Sequence, residues 1–138
     1  MIEHFRPGGG EGFGEISILG YAHLGDAVFE LMARTWLVAQ GAVTAKRLHN
    51  ETVALVSAKA QASAAGLLMP ALSEEEKAVF MRGRNARVNS VPRGSTHKEY
   101  HASTGIEALF GYLYLKGKAD RLDILFGMIV DGENEGVI

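Results

Sequence analysis

The sequence contains no cysteine, and that absence removes disulfides, thiolate metal centres and cysteine nucleophiles together. It also lacks any apolar run near the roughly 20 residues that cross a bilayer, and no basic-then-apolar export signal opens it. The expectation is a cytoplasmic protein with no membrane partner. A dominant charge is missing too: 14 Lys and Arg against 16 Asp and Glu give a net charge of −2, so no global field attracts a polyanion. A nucleic acid would have to be held by a local cluster of cations. Alternation of period two is nowhere sustained, so no strand is expected.

Glycine is plentiful at the start, where Gly8, Gly9, Gly10, Gly12 and Gly14 follow or flank Pro7. Ordering such a segment costs much backbone entropy, so residues 1–15 read as a flexible tail and residues 16–138 as one domain. No strand pattern precedes these glycines and no Gly-Lys-Ser/Thr follows them, which argues against a phosphate-cradling loop.

The rest of the chain reads as five helices. The first runs from about Ser17 to Gln40, with Leu24, Val28, Leu31, Met32 and Thr35 as its apolar stripe and Gly41 as its stop. Asp26 falls off that stripe, on a face with Ala22, Phe29 and Ala33. A second helix is expected from Thr44 as its cap to about Ala65, where Gly66 offers a stop, and a third from Glu74 to about Arg84 behind a capping box of Ser73 and Glu76. A fourth spans Glu99 to Lys116; its Gly105 and Gly111 each cost about 1 kcal/mol relative to alanine, so close packing or ligand approach is expected at both. A fifth starts with Asp120 as its cap and ends near Gly132.

Two features carry chemistry. Between Lys77 and Glu99 there is no acid, while Arg82, Arg84, Arg87, Arg93 and Lys98 are all cations, a pattern suited to phosphate oxygens but equally to a solvated basic loop. Asp26 and Glu107 are single carboxylates on apolar helices with small neighbours, a minimal donor set for a hard divalent cation if the two helices meet. Spacing alone leaves open the alternative that each acid bonds a backbone group or an arginine. Lys59 sits beside the inward face of its helix, where it either meets an anion or snorkels to the surface. His23 reads as a core histidine or a donor beside Asp26, and His97 and His101 as surface or capping residues.

Leu24-Gly25-Asp26-Ala27-Val28 closely resembles the Leu-Gly-Asp-Ala-Val core of the ribonuclease III signature. Glu107-Ala108-Leu109-Phe110-Gly111 looks like its second acidic segment. Ala22 and Thr104 stand where ribonuclease III usually has two further acids, a pattern similar to the short Mini-III ribonucleases, which lack a double-stranded-RNA-binding domain and remain active. Val56 to Ala62, Arg82-Gly83-Arg84-Asn85-Ala86 and His101 to Thr104 extend the resemblance over most of the chain after the glycine tail.

The resemblance implies an all-α ribonuclease III-like homodimer that hydrolyses double-stranded RNA, leaving 5′-phosphate and 3′-hydroxyl ends. It implies Mg²⁺, or Mn²⁺ in its place, held by Asp26 and Glu107. Arg82, Arg84, Asn85 and Lys98 become candidates for gripping the RNA, with Lys59, His23 and Thr104 as candidate neighbours of the metal ligands or the scissile phosphate. The implied substrate is precursor 23S ribosomal RNA of the large subunit, with a ribosomal protein on the substrate as a candidate helper. The competing reading is a catalytically inactive RNA-binding or ribosome-assembly module of the same fold; retention of both acids favours the enzyme.

Overall fold

Short hydroxylated residues in extended conformation start the helices, because their oxygens accept from backbone N–H groups that the first turn leaves unpaired. The computed structural model describes residues 15–41, 44–87 and 90–134; the glycines of the expected tail, and Asn89 of the basic stretch, lie outside them. Ser17 caps α1 (Ile18–Ala39), Thr44 caps α2 (Ala45–Val56) and Ser57 caps α3 (Ala58–Leu68). A 3₁₀ turn over Met69–Ala71 follows. Ser73 and Thr96 form capping boxes with Glu76 and Glu99 at the starts of α4 (Glu74–Arg84) and α5 (His97–Leu115), and α6 (Ala119–Asn134) completes the order.

The described residues therefore form six α-helices rather than five, with no strand. The expected second helix is two, because Ser57 is extended, at ψ 155°, and its hydroxyl accepts from Ala60 N–H, bending the chain by 53°. Gly66 does not stop the helix, which continues to Leu68. The fourth expected helix starts two residues earlier than the sequence suggested, at His97, and Asp120 lies in the first turn of α6 rather than at its cap. No single helix among the described residues is long and apolar enough to cross a membrane.

α5 is the central element: Ser103, Thr104, Gly105, Ile106, Ala108, Leu109, Phe110, Gly111 and Leu113 are all buried, and α1, α3, α4 and α6 pack around it. The buried residues of α1 are Ala22, Gly25, Val28, Phe29, Ala33 and Leu37; of the expected stripe, Val28 is buried and Leu24 and Met32 pack partly buried against the core, whereas Leu31 and Thr35 are exposed. Leu31 is 53% exposed, and the Thr35 hydroxyl donates to the Leu31 carbonyl. Small residues determine the buried face because they let the two helix backbones touch. A Cβ on Gly25 would overlap the Glu107 carbonyl oxygen, and one on Gly111 would overlap the Tyr21 carbonyl oxygen.

Glu76 ties α6 to the turn before α4. Its carboxylate is 7% exposed and accepts from Ser73 N–H and, through both oxygens, from Arg121 at 2.8 Å, while Arg121 also donates to the Ala71 carbonyl. These Arg121 hydrogen bonds hold the carboxyl below its ordinary value of 4.5. A depressed folded-state value stabilises the fold above pH 4.5 and loses that contribution as pH falls through the lower value. Arg121→Ala is therefore expected to cost about 3 kcal/mol in urea denaturation at neutral pH, because it leaves a buried carboxylate unpaired. The difference from wild type should shrink as acid protonates Glu76.

Candidate active site

The glycine crossing of α1 and α5 sets the positions of the two acids. Asp26 follows Gly25 directly, and Glu107 lies one turn before Gly111, so each carboxylate emerges beside a backbone contact that fixes the spacing of its helix from the other. The two side chains come within hydrogen-bonding reach of each other. Asp26 is on the exposed rim, and Glu107 stands deeper, half-buried. Burial first, and the neighbouring Asp26 second, push the Glu107 carboxyl from 4.5 up to about 8. At neutral pH the Glu107 carboxyl thus keeps its proton beside Asp26, the usual result of burial next to a second carboxyl.

No Lys, Arg or His forms an ion pair with either acid among the described residues. A carboxyl pair left unneutralised in this way suits a divalent cation, which would take the place of the Glu107 proton. The donor set is two carboxylates without a third His, Cys, Asp or Glu among the described residues. Such a set fits a hard ion that keeps several waters, as Mg²⁺ does, and not a fully protein-ligated zinc.

The raised Glu107 value has a consequence for stability. A carboxyl whose folded value exceeds its unfolded value destabilises the fold progressively as pH rises from 4.5 to about 8. In EDTA, Glu107→Gln is expected to gain about 3 kcal/mol over wild type at pH 8, since its amide can donate to Asp26 without carrying charge. The gain should vanish near pH 4.5 in thermal denaturation.

The remaining sequence candidates are distributed differently. Ala22 is buried in an apolar cluster with Val79 and Ala108, covered by Tyr21 and Tyr112, so a longer acidic side chain has no room there. The Thr104 side chain is buried and its hydroxyl donates to the Tyr100 carbonyl at 3.0 Å, which leaves it no proton for a ligand at the carboxylate pair. Lys59 is exposed, as the snorkelling reading has it, and not on the inward face. His23 is exposed as well, which overturns its reading as a core histidine: residue 23 falls on the solvent side of α1, between buried Ala22 and Gly25.

Of the basic candidates, Arg84, Asn85 and Lys98 line one depression, and Arg82 is exposed outside it. α4 is held there by Gly83, whose Cβ would lie 3.0 Å from the Gly105 Cα, and Gly105 in turn accommodates Phe80. Gly105 and Gly111 are thus both explained by close helix packing. His97 and His101 complete the depression, a placement the sequence reading missed because surface and capping roles were expected for both. The four-residue spacing of the two histidines was the available signal.

Comparison with known proteins agrees with this architecture. Residues 19–118 match the Ribonuclease III domain, a span that includes both acids and the depression. The Mini-ribonuclease 3 of a Thermoanaerobacter species is 47% identical over 112 residues, covering 81% of this chain and 79% of that protein. The Mini-ribonuclease 3 of Symbiobacterium thermophilum is 48% identical over 104 residues, covering 75% of this chain and 80% of the relative. A crystal structure of a Fusobacterium nucleatum protein superposes with a TM-score of 0.80 at 31% identity, covering 87% of this chain and 96% of that one. With the all-helical fold and two acidic helices meeting at a glycine crossing, the chain belongs to the ribonuclease III family, and within it to the Mini-ribonuclease 3 proteins.

Proposed function

We propose that this protein is a divalent-metal-dependent endoribonuclease that cuts double-stranded RNA, leaving 5′-phosphate and 3′-hydroxyl ends. Family membership makes it a ribonuclease, a phosphodiester hydrolase. The observation that carries the finer reading is the convergence of Asp26 and Glu107, two carboxyls with no cation partner among the described residues. Asp26 and Glu107 would hold the ion, Mg²⁺ or Mn²⁺. When bound, such an ion supplies a Lewis acid that activates water and stabilises negative charge on phosphodiester oxygens.

The chain's own residues do the rest. Gly25 and Gly111 lock the backbones that carry the two acids, so the ligand spacing needs no reorganisation during reaction. Glu107, half-buried, holds the proton that a bound ion would displace. Arg84, Asn85 and Lys98 hold backbone phosphates; an A-form duplex offers shape, phosphates and 2′-hydroxyls rather than a readable major groove. Two copies acting as a homodimer would cut the two strands. The biological substrate in this reading is precursor 23S ribosomal RNA in the cytoplasm, with a ribosomal protein as a candidate presenter.

The test is incubation of a long paired RNA and a matched single strand with Mg²⁺, followed by analysis of product ends. Cutting confined to the duplex, with 5′ ends that accept no kinase label until dephosphorylated, supports the reading. Binding of duplex without any cut in Mg²⁺ or Mn²⁺ would favour an inactive RNA-binding module instead.

A further inference from the structure

Arg84 and Asn85, at the end of α4, and His97, Lys98 and His101, in the first two turns of α5, line an open depression of about 340 Å³. No carboxylate lines it, because Glu99 turns its Oε1 to the Thr96 N–H in the capping box. Arg84 and Lys98 have no ion-pair partner among the described residues. The two imidazoles stack, with centroids 6.3 Å apart and planes 25° from parallel, and Tyr100 meets His101 edge-on at 6.2 Å. Nδ1 of His101 is shielded from solvent and has no hydrogen-bond partner.

The depression is lined by a guanidinium, an ammonium, an amide and two imidazoles. Each of these can donate, and an imidazole carries at least one N–H in either of its ordinary protonation states. The first turn of α5 adds the positive end of the helix dipole. What such a set lacks is a negatively charged hydrogen-bond acceptor that takes several donors at once, and the two non-bridging oxygens of a phosphodiester supply one.

Resting on the reading of the chain as a duplex-RNA nuclease, we propose that this depression is a second phosphate subsite in which His97 and His101 contact one backbone phosphate of the duplex cut at Asp26 and Glu107. His101 precedes Glu107 by six residues, about 9 Å of rise along α5. The phosphate held here therefore belongs to a different nucleotide from the scissile one. The contact of Gly83 with Gly105 fixes α4 against α5, so the depression and the carboxylate pair are carried on one rigid helix framework. The subsite fixes where the duplex lies relative to the carboxylates without reading its sequence.

The experiment measures fluorescence anisotropy of a labelled RNA duplex on the Asp26→Asn background, so that binding is read without cutting. His97→Gln combined with His101→Gln should weaken binding about tenfold, equally for duplexes of unrelated sequence. His97→Glu, a change at an exposed position that puts a carboxylate towards the phosphate, should weaken it at least as much without disturbing packing. His49→Gln should have no effect, because His49 lines a separate depression with Arg34 and Leu48. In parallel, inorganic phosphate added to the wild type should shift the imidazole resonances of His97 and His101 and leave that of His49 in place. Unchanged affinity of both the double variant and His97→Glu overturns the subsite while the nuclease reading stands. If the Asp26→Asn parent binds no duplex at low salt, the nuclease reading falls and the subsite falls with it.

Discussion

Asp26→Asn is expected to lower the rate of duplex cleavage by at least about 10³-fold while leaving duplex binding and the melting temperature close to those of wild type. Metal-based stabilisation of a phosphoryl transition state is worth several kcal/mol, and about 4 kcal/mol corresponds to that factor. Asp26 stands on the rim and supports no packing, so the loss should fall on the chemical step and not on the fold. Glu107→Gln should lose activity on a similar scale while gaining stability in EDTA. That opposition separates a catalytic carboxyl from a structural one: removing a structural ion pair, such as Arg121 with Glu76, lowers stability instead. Single-turnover cleavage and thermal denaturation of the same preparations check both halves.

Gly111→Ala is expected to destabilise the fold by more than about 4 kcal/mol, because the new methyl would overlap backbone and no flexible side chain can yield. Its Cβ would meet the Tyr21 carbonyl oxygen and lie 2.9 Å from the Gly25 backbone nitrogen, so α1 and α5 would have to separate. Separation moves Asp26 relative to Glu107, and a displacement of about 1 Å can cost on the order of 10²-fold in rate. Gly66→Ala provides the contrast. Gly66 lies within α3 with nothing inside 4 Å of its would-be Cβ, so alanine should be neutral or stabilising by up to about 1 kcal/mol. Urea denaturation of the two variants should therefore move in opposite directions or differ widely.

Much of this fold can be read from the sequence because its boundaries are written in side chains. Ser73 with Glu76 announces α4, and Gly41 and Gly117, both at positive φ, mark the ends of α1 and α5. Ser57 was equally informative and was passed over, because the alanine-rich run on either side has no interruption of helix propensity. The burial of α1 is legible only in part, for a different reason. Hydrophobic periodicity gives weight to Leu24 and Leu31, whereas this helix packs through Ala22, Gly25 and Ala33, whose small size is the point.

The acids were legible as a pair only through the resemblance of their two segments to ribonuclease III. Nothing local in Asp26 states that Glu107, on another helix, lies beside it. What the structure adds is the reason for that proximity, the crossing at Gly25 and Gly111. It also adds His97 and His101 to the basic candidates, since only the docking of α4 on α5 brings Arg84 and Asn85 to them.

The most direct measurement of the carboxylate pair as a metal-dependent nuclease site is Mn²⁺ binding followed by electron paramagnetic resonance, with cleavage assayed on the same samples. Wild type should bind the ion without RNA present and cut a long duplex only when Mg²⁺ or Mn²⁺ is supplied, while Asp26→Asn combined with Glu107→Gln should do neither. Cleavage of the duplex by wild type in EDTA, or Mn²⁺ binding undiminished in the double variant, would contradict it.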